Sequence, residues 1–205
     1  KVWDATMKDI AEIDIGSWFD PVYAGQRAPL LRDVLNVVKD RSKLIIELKY
    51  YGHDVDLENR VIALVEEAGM EQQIATMSLK YPAVQKMLQL RPDWRTGVLA
   101  ATSVGDLTGL DGDFVAVSAA SLSSRLIRRA ESAGKDVYVW TVNDAALMSR
   151  MISLGVAGLI TDEPALAREV IAYHQTLSTA ERFLLRLGDS IGFAFDLTPP
   201  VKDEI

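Results

Sequence analysis

The 205-residue chain is 49% apolar, carries a formal charge of -7 and contains no cysteine; its pI is near 4.9. A chain of this length and composition can bury one sizeable core. Its acidic surface, with no Lys/Arg stripe, speaks against a nucleic-acid partner, and disulfides and thiolate metal sites are excluded. No apolar run approaches the ~18 residues that a membrane span needs. A start at Lys1 without a signal-peptide pattern is what a processed product or a piece of a longer chain would have.

In chain order, "MKDIAEIDIGSWFD" reads as a short helix leading into a turn at Gly16, "FDPVYAGQRAP" as loop, and "LLRDVLNVVKD" as a helix feeding the first strand. Strands are expected at Leu44–Lys49, Ile74–Leu79, Thr96–Ala100, Phe114–Ser118, Asp136–Thr141 and Ala157–Thr161. Helical spacing fills most of the gaps. "LENRVIALVEEAG" puts Val61, Leu64, Val65 and Ala68 on one face, and "YPAVQKMLQLRP" does the same with Val84, Met87, Leu88 and Leu90. "SSRLIRRAESAG" and "DAALMSRMISLG" end in glycines suited to helix C-termini, Gly134 and Gly155. The stretch from Asp106 to Gly112 is too short and too rich in Gly and Asp for a good helix. Asn143–Asp144 is a ready cap for the helix that follows. "TDEPALAREVIAYH" offers Thr161 and Asp162 as caps and a proline in its first turn. Beyond it, Ser178-Thr-Ala-Glu181 has capping-box spacing and opens an extra helix with Phe183, Leu184, Leu187 and Ile191 as its stripe. Its mixed charges favour docking on the main domain or on a partner protein over a membrane surface.

Strand-helix alternation repeated in this way predicts an α/β fold with a parallel sheet built of right-handed βαβ units. Periodicity does not choose between a doubly wound sheet and a barrel.

The residues that could carry chemistry are few. "KLIIELKYYGHD" ends a buried strand with Glu47 and Lys49 on the same face as Ile45. Two roles fit that spacing. One is a mutual ion pair; the other is a carboxylate for a hard cation beside an ammonium for an anion. Trp140, at the end of "DVYVW", is either core or a flat cavity wall with one N–H donor. His174 lies near a helix end, where a cation suits the dipole and a structural role is expected. His53 follows the first strand on the side where barrel sites form, and could touch substrate or stand behind the residues that do. No Ser-His-Asp set, phosphate-cradling glycine loop or cysteine nucleophile is present.

The order of "DIAEIDIGSWFDPVYAGQRAPLLRDVL", "LIIELK", "ATMSLKYPAVQKMLQLRPD", "DVYVWTVND" and "GVAGLITDEP" resembles the glycerophosphodiester phosphodiesterase family across roughly residues 7 to 172. The resemblance implies a TIM-type (β/α)8 barrel that hydrolyses small glycerophosphodiesters to an alcohol and glycerol 3-phosphate with a divalent cation, Ca²⁺ or Mg²⁺. It implies Glu47 as a metal ligand, Lys49 as the phosphate contact and Trp140 as part of the substrate-binding mouth. It also implies residues this chain lacks: a first strand with His-Arg-Gly followed by Glu, an acidic ligand on the next strand, and a His-Asp pair. The acid–base histidines are therefore absent from these 205 residues, and His53 and His174 match neither.

About six of eight βα units are visible, so ~60 residues of a ~250-residue barrel are unaccounted for. The expected organisation is an incomplete barrel over residues 1–176 with a C-terminal helix and tail over 177–205. A piece of a larger enzyme, inactive alone, is one reading. A decayed relative that kept a phosphate pocket or a partner surface is the other. "YYGHD" resembles bacterial members whose catalytic domain follows a membrane region, which implies a tether outside this chain. The C-terminal helix could pack on the barrel or mediate dimerisation.

Overall fold

A computed structural model describes residues 4–53, 56–102, 105–181 and 184. The chain divides into two compact units, residues 1–75 and 76–205.

The first unit begins with helix α1 (Met7–Glu12), started by a capping box in which Thr6 accepts from the Asp9 N–H and the Asp9 carboxylate accepts from the Thr6 N–H. The loop after it is organised by one side chain. Asp14 accepts the N–H groups of Gly16, Ser17 and Gly25 at 2.7–2.9 Å, together with the Ser17 hydroxyl. These bonds favour the charged form and hold its carboxyl far below the usual range. Helix α2 (Leu31–Val38) buries Leu35 and packs on α3 (Leu57–Ala68), which buries Val61, Ile62 and Val65. Lys39 donates to the Ala68 carbonyl, and Asp40 and Gln73 exchange two hydrogen bonds of 2.9 Å. Between these helices runs β1 (Leu44–Glu47); the Leu44 N–H donates to the carbonyl of Gln73.

In the second unit β2 (Ile74–Ser78), whose first two residues close the first unit, is followed by α4 (Tyr81–Leu90), β3 (Arg95–Ala100), a 3-10 turn at Leu107–Gly109, β4 (Phe114–Ser118), α5 (Ser124–Ser132), β5 (Asp136–Trp140), α6 (Ala145–Leu154), β6 (Gly158–Leu159) and α7 (Pro164–Thr176). The strands lie side by side in chain order. From β3 to β6 the pairings are parallel: Phe114 pairs with both Gly97 and Asp136, Ser118 with Trp140, and Tyr138 with Gly158. One sheet face supplies Val98, Ala100, Val115, Val117, Val137 and Val139 to a core completed by Ala130, Met148, Met151, Ala167 and Val170 from the helices. Strands buried under a helical layer become continuous apolar runs, which is why β4 reads "FVAVS".

Most elements stand where the sequence places them, with differences at the ends. β1 stops at Glu47 and β6 keeps two residues, although hydrogen bonds from Ile160 to Val139 and from Val142 to Ile160 continue beyond it. Leu90, expected on the buried face of α4, is exposed, because the helix ends there; Ala83, Val84 and Met87 are buried and Leu88 is partly buried against the core. His174 is buried rather than set out at the dipole's end; its Nε2 is 2.7 Å from the Ser149 hydroxyl. The capping box at Ser178 and Glu181 forms. Of the stripe expected after it, Leu184 is exposed, and Phe183, Leu187 and Ile191 lie outside the described residues. No helix among the described residues is long and apolar enough to cross a membrane.

Candidate functional site

Glu47 is the last residue of β1, and Lys49 follows two residues on, so alternation puts both on one side. The Lys49 Nζ lies 3.5 Å from the Glu47 Oε2. The carboxylate side chain is 24% exposed and the ammonium 57%, so the pair is reachable from solvent and contributes little to stability as an ion pair. On the opposite side of the same segment Leu48 is buried. The two roles weighed for this pair are compatible: an ion pair at a strand end is also a carboxylate and an ammonium held side by side. His53, exposed, is on the loop beyond.

A cation needs more than Glu47. Among the described residues no group of three or more His, Cys, Asp or Glu side chains is placed to hold a metal ion. A hard divalent cation takes about six oxygens, so these residues do not by themselves make its site.

In the second unit the C-terminal strand ends carry a different set. Trp140 is half-buried, and its indole N–H donates to the Ala116 carbonyl at 3.3 Å. With its donor turned to the backbone, the ring has its flat face to offer. The peptide bond from Trp140 to Thr141 is cis. The hydroxyl of Ser118, the register partner of Trp140, donates to the Ala101 carbonyl and shares a second hydrogen bond with the Ser121 hydroxyl. Nearby, Asp106, Ser121, Ser123, Arg125 and Arg129 line a cavity of about 330 Å³. Thr108 bonds, with Arg129 and Arg125 adding attraction, hold the Asp106 carboxyl below the usual range.

Asn143 does not cap α6; Asp144 does, accepting from the Leu147 N–H at 2.8 Å. Asn143 instead clamps two loops. Its amide donates to the Asp162 carboxylate, and its carbonyl oxygen accepts from the Thr161 hydroxyl and the Asp162 N–H. Neither Thr161 nor Asp162 caps α7, whose N-cap is Glu163 without a side-chain cap bond; Thr161 accepts from the Glu163 N–H two residues on, ahead of the helix, and Asp162 serves the clamp.

Two groupings were not anticipated from the sequence. At the strand starts, Arg95 and Asp136 pair beside the rings of Phe114 and Tyr138, which meet edge to face at 5.0 Å. Gly97 and Gly158 make room: a Cβ on the first would sit 2.3 Å from the Phe114 ring and on the second 2.6 Å from the Tyr138 ring. An isolated glycine inside a strand is the signal that could have revealed this. The second is Glu58, in the first turn of α3, which is only 3% exposed and accepts the Tyr50 hydroxyl. Its spacing to Val61, Ile62 and Val65 puts it on the buried face of α3, and that position was the signal the sequence offered for a carboxylate in need of a partner.

Comparison with known proteins is consistent across sequence and structure. The model of the "Glycerophosphoryl diester phosphodiesterase family" matches residues 1–166. A glycerophosphodiester phosphodiesterase of Caldanaerobacter subterraneus is 27% identical over 173 residues, covering 80% of this chain and 70% of that protein. One of Bacillus subtilis is 28% identical over 191 residues, covering 82% and 65%. The structure resembles that of an Oleispira antarctica phosphodiesterase solved with the product sn-glycerol-3-phosphate, at a TM-score of 0.71 and 21% identity over 83% of this chain and 72% of that one. The chain thus spans about two thirds to seven tenths of these relatives. The shared fold is the TIM-type barrel, to which the described residues contribute six strands, five of them leading into an α-helix.

Proposed function

This chain belongs to the glycerophosphoryl diester phosphodiesterase family, and from that membership we propose that it forms most of the catalytic barrel of an enzyme hydrolysing glycerophosphodiesters to an alcohol and glycerol 3-phosphate. The observation that carries the reading is the match of the family model to residues 1–166. In this reaction a water oxygen bonds to phosphorus, the bond from phosphorus to the leaving oxygen breaks, and a proton passes to the departing alkoxide. A diester anion repels nucleophiles, so positive charge beside its non-bridging oxygens lowers the barrier.

In our reading Lys49 supplies that charge, and the flat face of Trp140 packs against the substrate. Glu47 orients Lys49 and offers one carboxylate oxygen to a divalent cation, Ca²⁺ or Mg²⁺; bound, such a cation would neutralise phosphate charge. Because the described residues lack a full ligand set, the remaining ligands and the acid–base histidines belong, in this proposal, to residues beyond these 205. His53 stands behind the contact residues. A membrane tether rests on the resemblance of "YYGHD", and dimerisation through the C-terminal helix on its apolar stripe.

The test is release of glycerol 3-phosphate from glycerophosphocholine and related diesters. It is run with the chain alone and with the chain joined to whatever precedes Lys1 in the natural protein, each with Mg²⁺, Ca²⁺ or chelator. Turnover in the longer form, lost on chelation, supports the proposal. No turnover in any form overturns it.

A further inference from the structure

Beyond Glu47 the ladder of β1 is over, yet the next residues keep their alternation: Leu48 buried, Lys49 exposed, Tyr50 half-buried, Tyr51 exposed. Tyr50 points away from Lys49 by that alternation, and its hydroxyl donates to the Oε1 of Glu58. Glu58 is among the few buried charged side chains of the chain. A buried carboxylate is tolerated when hydrogen bonds replace its water, and its place in the first turn of α3 adds the favourable end of the helix dipole. A phenol-to-carboxylate bond is of the strong, charge-assisted kind, and it spans eight residues of sequence.

We propose that Tyr50 and Glu58 are positioning residues: their bond braces the exit of β1 against α3 and so fixes where the Lys49 ammonium stands beside Glu47. The brace acts through Lys49 and touches no substrate. Fixing the backbone one residue away from an anion-binding ammonium removes freedom that the ligand would otherwise have to freeze on binding. This inference rests on the reading of Lys49 as the phosphate contact.

A double-mutant cycle on the natural protein separates the two ideas. Glycerol 3-phosphate affinity would be measured by titration calorimetry for wild type, Tyr50→Phe, Lys49→Gln, the double variant and Glu58→Gln, with thermal unfolding of each alongside. Tyr50→Phe should weaken binding about tenfold in the wild-type background and by less than about twofold once Lys49 is gone, the non-additivity expected of residues acting as one. Glu58→Gln, which keeps an acceptor for Tyr50, should stay within about threefold of wild type. Additive losses, or a lowered melting temperature with unchanged affinity, would reduce the bond to a structural one and overturn the brace. Equal affinity in wild type and Lys49→Gln would instead overturn the phosphate role of Lys49, and the brace with it.

Discussion

Two ion pairs at strand termini, one in each unit, serve opposite ends. Arg95 and Asp136 begin β3 and β5; they pair beside the edge-to-face rings of Phe114 and Tyr138, which lie close over two glycines. Glu47 ends β1, and its partner Lys49 stands two residues on, with its side chain more than half exposed. The first pair uses Arg, whose planar guanidinium lies near aromatic faces, at 5.7 and 5.9 Å from the two ring centres. The second uses Lys, a compact charge on a flexible stem that an anion can approach. In barrels of this type the starts of strands are the stability end and their C-terminal ends carry the chemistry. Under the proposed function the two pairs divide along that line.

The comparison breaks or sharpens under substitution. Phe114→Ala should have the largest effect, about 3–5 kcal/mol of stability, because it empties a fully buried ring site; denaturant unfolding would read it. Glu47→Ala and Lys49→Ala should each lower kcat/KM of the natural enzyme by about 10²–10³-fold while leaving its melting temperature within a few degrees. Unchanged kcat/KM in either would put this pair in the same class as the other. Ser149→Ala should cost about 1–3 kcal/mol, since it strips a hydrogen-bond partner from the buried His174. Arg95→Ala should cost no more than about 1 kcal/mol for the ion pair itself, both side chains being nearly half exposed. A much greater loss would mean the rings depend on the guanidinium.

The smallest effect concerns acid. The Asp14 carboxyl is lowered in the folded chain by the N–H groups of Ser17, Gly25 and Gly16, so the unfolded chain binds more protons there. Its support for the loop is complete above the ordinary value of 3.8 and is lost as pH falls below it. Fluorescence of Trp18, whose indole N–H donates to the Ile15 carbonyl in that loop, should report a transition below that pH, and Asp14→Asn should abolish it.

Where burial follows a regular period the sequence was legible. β4 matches its expected bounds at both ends, and α6 and α7 start just after their expected capping segments. The glycines read as helix ends, Gly134 and Gly155, have φ of 67° and 92°, a conformation that side chains resist. Legibility failed where partners are distant in sequence. Nothing local to Asn143 announces that Thr161 and Asp162 will meet it across 18 and 19 residues. The place of Glu58 on the buried face of α3 asks for a partner but does not name Tyr50, eight residues back. Glu47 and Lys49 were conspicuous because charge at the end of an apolar strand is rare enough to need a reason. The aromatic cluster was hidden because its signal is two missing side chains rather than two present ones.

The Asn143 clamp has a bearing on how this scaffold can be altered. One side chain satisfies a carboxylate, a hydroxyl and a backbone N–H from the segment after β6. A change of length in that segment, or in the one after β5, would part these groups and leave them, exposed as they are, to water. Re-engineering of this end of the sheet, whether in the laboratory or by natural drift, keeps the junction when the two loops move as a single cassette.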